Sequence, residues 1–337
     1  VKQLIRGVAI RTLIGSDRFV RFVTRARLVG VDADLDPQIA AILEYQRRAK
    51  LPSLESFEPV RARSYAEQQM GVAELPKEPM AHVRDTFVGF DRIPVRIFVP
   101  HGASKNWLVW IHGGGGVIGS VDASENHARY LAAHTKCTVA SVGYRLGPED
   151  KHPAGTDDAS TAFQALAERV PEGGKMVIGG DSYGGFASVH VERHARATGG
   201  RVPDLQLLIY PAIDWTMSMP SHERNAEGYL LTKQMMCWFR AHYLDRDDDE
   251  GRKAVSPWFW SDADVKGAAP AIVVTAGYDP LCDEGDAWAS RLRAAGVPVR
   301  HLRFSGLVHG FLSLGGIVRS AQAAFDDICR SVVEELA

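Results

Sequence analysis

The chain has 337 residues, 45% of them hydrophobic and 24% charged, with a net charge of −2. That composition belongs to an ordinary globular protein, long enough for one large domain with a subsidiary cap or for two domains. The charge balance supplies no global field that would draw nucleic acid, and no apolar run is long enough to span a bilayer. Cys137, Cys237, Cys282 and Cys329 are scattered, without C-x-x-C or zinc-like spacing. They read as reduced residues of a cytoplasmic protein, and no metal or cofactor is expected.

Residues 1 to 30 carry Lys2, Arg6, Arg11, Arg18, Arg21, Arg25 and Arg27 against one acidic residue, Asp17. Leu4, Ile5, Val8, Leu13, Phe19, Phe22 and Val23 recur at roughly helical spacing. Two readings fit: a basic amphipathic helix that touches anionic lipid, or a helix packed on the protein's own body with its arginines in water. The second is favoured. Arginines interrupt any apolar stretch that could serve as a secretory signal. The sequence opens on Val1, which leaves room for a leader or initiator residue ahead of it.

Asp36 and Pro37 are placed to cap and start a helix whose apolar side holds Ile39, Ile42 and Leu43. Pro52, Pro59, Pro76 and Pro79 then punctuate what reads as a connection. Thr86 to Val88 and Val95 to Val99 form a strand pair around a turn near Asp91. Trp107 to Ile111 is a fully apolar strand running into His112 and four glycines, Gly113 to Gly116. A helix is expected over 121–133, a strand over 138–142 and a helix over 155–169. Met176 to Ile178 is the next buried strand; a helix runs from Gly184 to about Ala197, and a strand covers 205–210. Residues 213–269 interrupt the alternation and hold four of the seven tryptophans, including Trp215 and Trp238, with Met217, Met219, Met235 and Met236. The alternation resumes with a strand over 271–275, a helix over 283–295, a strand over 299–304 and a helix over 317–335. Eight strands alternating with helices, after an initial pair, predict an α/β fold: a mostly parallel sheet covered on both faces.

The stretch between the strand at 176–178 and its helix is Gly179-Gly-Asp-Ser182-Tyr-Gly-Gly185. Gly180 and Gly184 flank Ser182 in a G-x-S-x-G pattern, which suits a sharp strand-to-helix turn with the serine hydroxyl exposed. The small flanking residues let the two backbones pass closely. Ser182 is therefore the candidate nucleophile. Asp279 directly ends a strand and is the candidate acid; Asp283 and Asp286 would serve equally well as helix caps. Only His301 and His309 follow it, and His301 lies inside a strand pattern, so His309 is the candidate base. Backbone N–H groups at Gly114, Gly115 and Tyr183 would point at a developing oxyanion, with Gly113 shaping the turn. Four features thus fall just beyond strand ends, where sheets of this class bind ligands.

These motifs resemble the hormonesensitive-lipase-like, bacterial family IV type, of α/β-hydrolase carboxylesterases. The resemblance is carried by His112-Gly-Gly-Gly with Gly119-Ser120, Tyr144-Arg-Leu-Gly-Pro-Glu149, Gly180-Asp-Ser-Tyr-Gly-Gly185, Asp279-Pro-Leu-Cys-Asp-Glu284 and His309-Gly-Phe311, in the family's order over roughly 82–337. It implies an α/β-hydrolase fold with nucleophile Ser182, acid Asp279 and base His309. It also implies a helical cap, placed over 1–55 and 213–269, with the catalytic core over 56–212 and 270–337. The family usually has an aromatic where Gly116 stands and often an alanine at Tyr183, so acyl and alcohol preference should differ here. Gly116, Trp215 and Trp238 are the residues assigned to the substrate pocket.

The activity expected is hydrolysis of short- to medium-chain acyl esters through an acyl-serine. An amidase or formamidase using the same triad is the alternative. A non-catalytic ligand receptor on the same body is disfavoured because Ser182 and His309 are both kept. The expected partner is a small-molecule ester; a homodimer is left open.

Overall fold

The computed structural model describes residues 14–24, 32–70 and 73–337. Its centre is an eight-stranded sheet in the order β1-β2-β4-β3-β5-β6-β7-β8. The strands are β1 (His82–Val88), β2 (Ile93–Val99), β3 (Trp107–Ile111), β4 (Thr138–Val142), β5 (Met176–Asp181), β6 (Leu205–Ile209), β7 (Ala271–Tyr278) and β8 (Val299–Val308). β1 pairs antiparallel with β2, and β2 antiparallel with β4. Every pairing from β4 across to β8 is parallel.

Helices α1 (Asp17–Thr24), α2 (Pro37–Ala49) and α3 (Pro59–Met70) precede the sheet. α4 (Glu125–Thr135), α5 (Ala154–Ala167) and α6 (Tyr183–Thr198) are its first crossovers. Four short helices fill the interval between β6 and β7: α7 (Ser221–Arg224), α8 (Lys233–Tyr243), α9 (Asp249–Val255) and α10 (Asp262–Val265). α11 (Cys282–Ala294) and α12 (Arg319–Leu336) complete the chain.

The apolar run of β3 shows why its neighbours are helices. Leu108 and Trp110 pack in one core with Leu131 of α4 and Phe325 of α12. Val109 and Ile111 point the other way, into a second core with Phe163 of α5 and Phe186 of α6. All four strand residues have no exposed surface. A strand covered on both faces has no position for a polar side chain, hence the unbroken run. Burying one such side chain contributes about 1.5–3 kcal/mol.

Asp36 caps α2 as its sequence position predicts, accepting from Gln38 N at 2.7 Å and Ile39 N at 3.2 Å, with Pro37 in the first turn. At the amino end, Ile14 and Val20 are buried against Ala41 of α2. Within the described part of the segment, 14–24, those two side chains pack on the protein's own body, while Phe22 stands 81% exposed. Lys2, Arg6, Arg11, Arg25 and Arg27 lie outside the described residues.

Three local expectations change. Helix α3 occupies what the prolines suggested was a connection. Pro59 starts the helix rather than breaking it. Its apolar periodicity is weak; Arg63 anchors it instead, donating to Val117 O, Gly147 O and the Glu149 carboxylate. Residues 121–124 form a turn, so α4 begins at Glu125. Finally, β8 runs on to Val308, pairing it with Tyr278 past an irregularity at Ala276/Tyr278.

Candidate active site

Ser182 sits between β5 and α6 with φ 56° and ψ −115°, a conformation that L-residues rarely adopt. The chain is held there from both sides: Ser182 N donates to Ile209 O at 2.8 Å, and Ala212 N donates to Ser182 O at 3.2 Å. The flanking glycines are required by contact. A Cβ on Gly184 would lie 1.8 Å from Ile111 O, and one on Gly180 would lie 2.2 Å from the same atom. β3, β5 and the start of α6 thus meet backbone to backbone.

β7 and β8 deliver the other two groups. Tyr278 pairs with Val308, and the residues immediately after them are Asp279 and His309. His309 Nδ1 lies 2.8 Å from Asp279 Oδ2, and His309 Nε2 lies 3.0 Å from Ser182 Oγ. Asp279 is fully buried and its other oxygen accepts Leu281 N at 2.8 Å. With both carboxylate oxygens so engaged, the Nδ1–H tautomer of His309 is favoured, leaving Nε2 facing the hydroxyl. The Tyr210 ring packs on the imidazole, centroids 4.7 Å apart.

The insertion between β6 and β7 braces the acid loop. Asn225 Nδ2 donates to Asp279 O at 2.9 Å, and Ser221 Oγ donates to Pro280 O at 2.6 Å. Nearby, the wholly buried His222 faces Glu284 at 2.7 Å, and Glu284 accepts Ile213 N and Asp214 N. None of these supports was evident in the sequence.

The glycine loop follows β3. Gly114 has φ 119°, and a Cβ there would meet Ile118 O at 2.2 Å, so no other residue fits. Among the described residues, no acceptor takes the N–H of Gly114, Gly115 or Tyr183. Gly113 is different: its N–H donates to Asp181 Oδ1 at 2.9 Å, so it shapes the loop. Burial pushes the Asp181 carboxyl up to about 6, against the opposing pull of the Gly113 N–H and of His309. Burial also holds His112 down, to about 4. The neutral ring donates from Nδ1 to Gly113 O at 2.8 Å, and Tyr144 Oη donates to His112 O at 2.8 Å.

A cavity of about 720 Å³ opens onto these groups. Gly113, Gly114, Gly115, Ser182, Tyr183 and His309 line one part of it, and Trp215, Met217, Met235 and Phe239 line another. A further wall comes from α2, α3 and the 3-10 turn Leu54–Ser56.

Two pocket assignments are corrected. Gly116 does not line the cavity: a Cβ there would lie 2.6 Å from the Tyr243 ring and 2.8 Å from the Tyr183 ring. The Tyr183 ring, fully buried with its hydroxyl 3.0 Å from Tyr243 Oη, occupies space beside the missing side chain. Trp238 also lies off the cavity, half-buried against His242; its neighbour Phe239 takes the lining position.

Among the described residues, no cluster of three His, Cys, Asp or Glu could hold a metal ion, and no helix is long and apolar enough to cross a membrane.

Comparison with known proteins gives a consistent result. The model of the Abhydrolase_3 family, alpha/beta hydrolase fold, matches residues 108–313. The chain is 35% identical over 311 residues to the carboxylic ester hydrolase LipN of Mycobacterium tuberculosis, covering 87% of this chain and 81% of that one. It is 31% identical over 321 residues to the ethyl acetate hydrolase of Pseudomonas putida, covering 90% and 99% respectively. Among solved structures, the ester-hydrolase EH1AB1 from the metagenome of Lake Arreo, complexed with a bipyridine phosphonate derivative, superposes with a TM-score of 0.83. It is 33% identical, covering 89% of this chain and 98% of that one.

Proposed function

We propose that this chain, which belongs to the Abhydrolase_3 family of the α/β-hydrolase fold and is a carboxylic ester hydrolase, cleaves short- to medium-chain acyl esters through an acyl-serine on Ser182. The observation that carries the mechanism is the pair of contacts made by His309, 3.0 Å to Ser182 Oγ and 2.8 Å to Asp279 Oδ2.

His309 Nε2 takes the Ser182 proton as Oγ attacks the ester carbonyl carbon. The carbonyl oxygen gains a negative charge and moves to the N–H groups of Gly114, Gly115 and Tyr183. The last of these opens α6, where unpaired N–H groups and the helix dipole favour an anion. One such donor is worth about 3–4 kcal/mol in the transition state. Asp279 keeps the His309 ring oriented and stabilises it once protonated. The imidazolium gives its proton to the departing alkoxide as the C–O bond breaks. Water, deprotonated by His309, then attacks the acyl-enzyme and returns the serine with release of the acid.

The cavity volume and its methionine and aromatic walls support the acyl range, since flexible thioethers adapt to ligands of differing shape. In this reading, α1, α2 and the 213–269 interval form the cap, and the site faces small esters in the cytoplasm.

The test is turnover of p-nitrophenyl butyrate by the wild type and Ser182→Ala. A loss on the order of 10³-fold or more is expected; retention of most activity would rule the mechanism out. A C2 to C16 ester series checks the acyl range, and an optimum at C12 or longer contradicts it.

A further inference from the structure

The cavity has an electrostatic imbalance that ester hydrolysis leaves unexplained. Among the described residues, its charged lining consists of one guanidinium, Arg47, and the carboxylates of Glu55, Glu67, Asp181, Asp214 and Glu284, beside imidazoles. Nearly all are accounted for. Arg47 is held by Glu44 through two bonds, at 2.7 and 2.9 Å. Asp181 accepts the Gly113 N–H. Asp214 is bonded by the amides and hydroxyls of Thr216 and Ser218. Glu284 accepts two amides and faces His222. Glu67 accepts the Ser120 hydroxyl at the exposed rim.

Glu55 stands apart. It lies in the 3-10 turn Leu54–Ser56, partly buried, and its Oε2 is closed off from solvent and accepts no hydrogen bond. Among the described residues, no ion pair reaches it. A carboxylate oxygen shielded from water without a partner is costly, and a neutral ester would leave it so. The same chamber presents the rings of Tyr65, Trp215, Tyr229 and Phe239. Aromatic faces attract weakly hydrated cations.

We infer that the cavity selects esters bearing an alkylammonium group, with Glu55 as the counter-charge and the aromatic walls as its apolar surround. This rests on the esterase reading above and narrows its substrate class. The one unpartnered carboxylate would also raise the local concentration of cationic esters in the cavity.

The test uses two matched ester pairs that differ only in replacing nitrogen by carbon. One pair places the charge in the alcohol: butyrylcholine against 3,3-dimethylbutyl butyrate. The other places it in the acyl chain: p-nitrophenyl 4-(trimethylammonio)butyrate against p-nitrophenyl 5,5-dimethylhexanoate. The readout is the ratio of kcat/KM, cationic over neutral, in the wild type, in Glu55→Gln and in a control at a remote exposed site, Glu172→Gln. The ratio for at least one pair should fall about tenfold in Glu55→Gln, chiefly through KM, and hold in the control. Ratios within twofold of wild type for both pairs would overturn the inference. Should neither pair be turned over, inhibition of p-nitrophenyl butyrate hydrolysis by choline against 3,3-dimethylbutan-1-ol reads the same preference. Wild-type failure on p-nitrophenyl butyrate would sink the esterase reading itself; normal turnover with unmoved ratios sinks only the cation preference.

Discussion

Asp181 accepts the Gly113 N–H at 2.9 Å, and this one bond fastens the loop after β3 to the strand that delivers Ser182. The two halves of the proposed oxyanion site come from separate strands, so their spacing depends on this tie. Asp181 also carries an energetic cost. Burial raises its carboxyl to about 6, above the 3.8 expected in an unfolded chain.

The folded chain holds the Asp181 proton between pH 4 and 6, where the unfolded chain has lost it. Stability from this group therefore falls as pH rises through that window, and above pH 6 the buried charge destabilises the fold by about 3 kcal/mol relative to pH 4. Asp181→Asn should unfold at higher urea than the wild type at pH 8, with the gap closing toward pH 4. A gap independent of pH would contradict this. Asp181→Ala, which leaves Gly113 N–H without its acceptor, should in addition lower kcat/KM by about 10-fold or more through loosening of the loop.

Gly184→Ala and Gly199→Ala separate contact from conformation. A Cβ at Gly184 would lie 1.8 Å from Ile111 O, with backbone on both sides and nothing able to yield. Gly199 has φ 69° but open space around it. The first substitution should cost more than about 4 kcal/mol and fail to fold or lose about 10 °C in Tm; the second should cost only about 1 kcal/mol. Similar thermal melts for the two variants would show that the elbow is less tightly packed than described.

Gly116 and Tyr183 should couple. Gly116→Phe places a side chain against the rings of Tyr183 and Tyr243 and on a backbone with φ 72°, at a cost of about 2–5 kcal/mol, of which about 1–3 is overpacking. Tyr183→Ala empties that space and leaves Tyr243 Oη without its 3.0 Å partner. In the double variant the new ring fills the vacancy, so the combined loss should be at least about 1 kcal/mol less than the sum of the two. Additive losses in a denaturation cycle would mean that the two positions do not share one space.

The elements read most directly from sequence were those whose cause is local. The apolar run of Trp107 to Ile111 needs only coverage on both faces, and the spacing of Gly180, Ser182 and Gly184 marks the turn by itself, although the two glycines are small because Ile111 O lies against them. Asp36 and Pro37 mark a helix start by their own chemistry. What could not be read depended on distant partners. Helix α3 is anchored by Arg63 reaching three groups far along the chain. Trp238 and Phe239 are adjacent on α8, and only the packing of that helix decides which faces the cavity. The missing side chain at Gly116 and the extra ring at Tyr183 looked like two separate departures until their positions met in space. Asp181 reads in the sequence only as part of the turn after 176–178, because its partner, Gly113, lies in the loop after another strand.

The most direct test of the central claim is covalent. A fluorophosphonate reacts with a serine only where a neighbouring base activates it and an oxyanion site receives the phosphoryl oxygen. Intact-protein and peptide mass spectrometry should find one adduct per chain on Ser182, absent from Ser182→Ala and slowed by orders of magnitude in His309→Ala. An adduct on another residue, or labelling of Ser182→Ala at the wild-type rate, would contradict the assignment of Ser182, His309 and Asp279 as the reacting group.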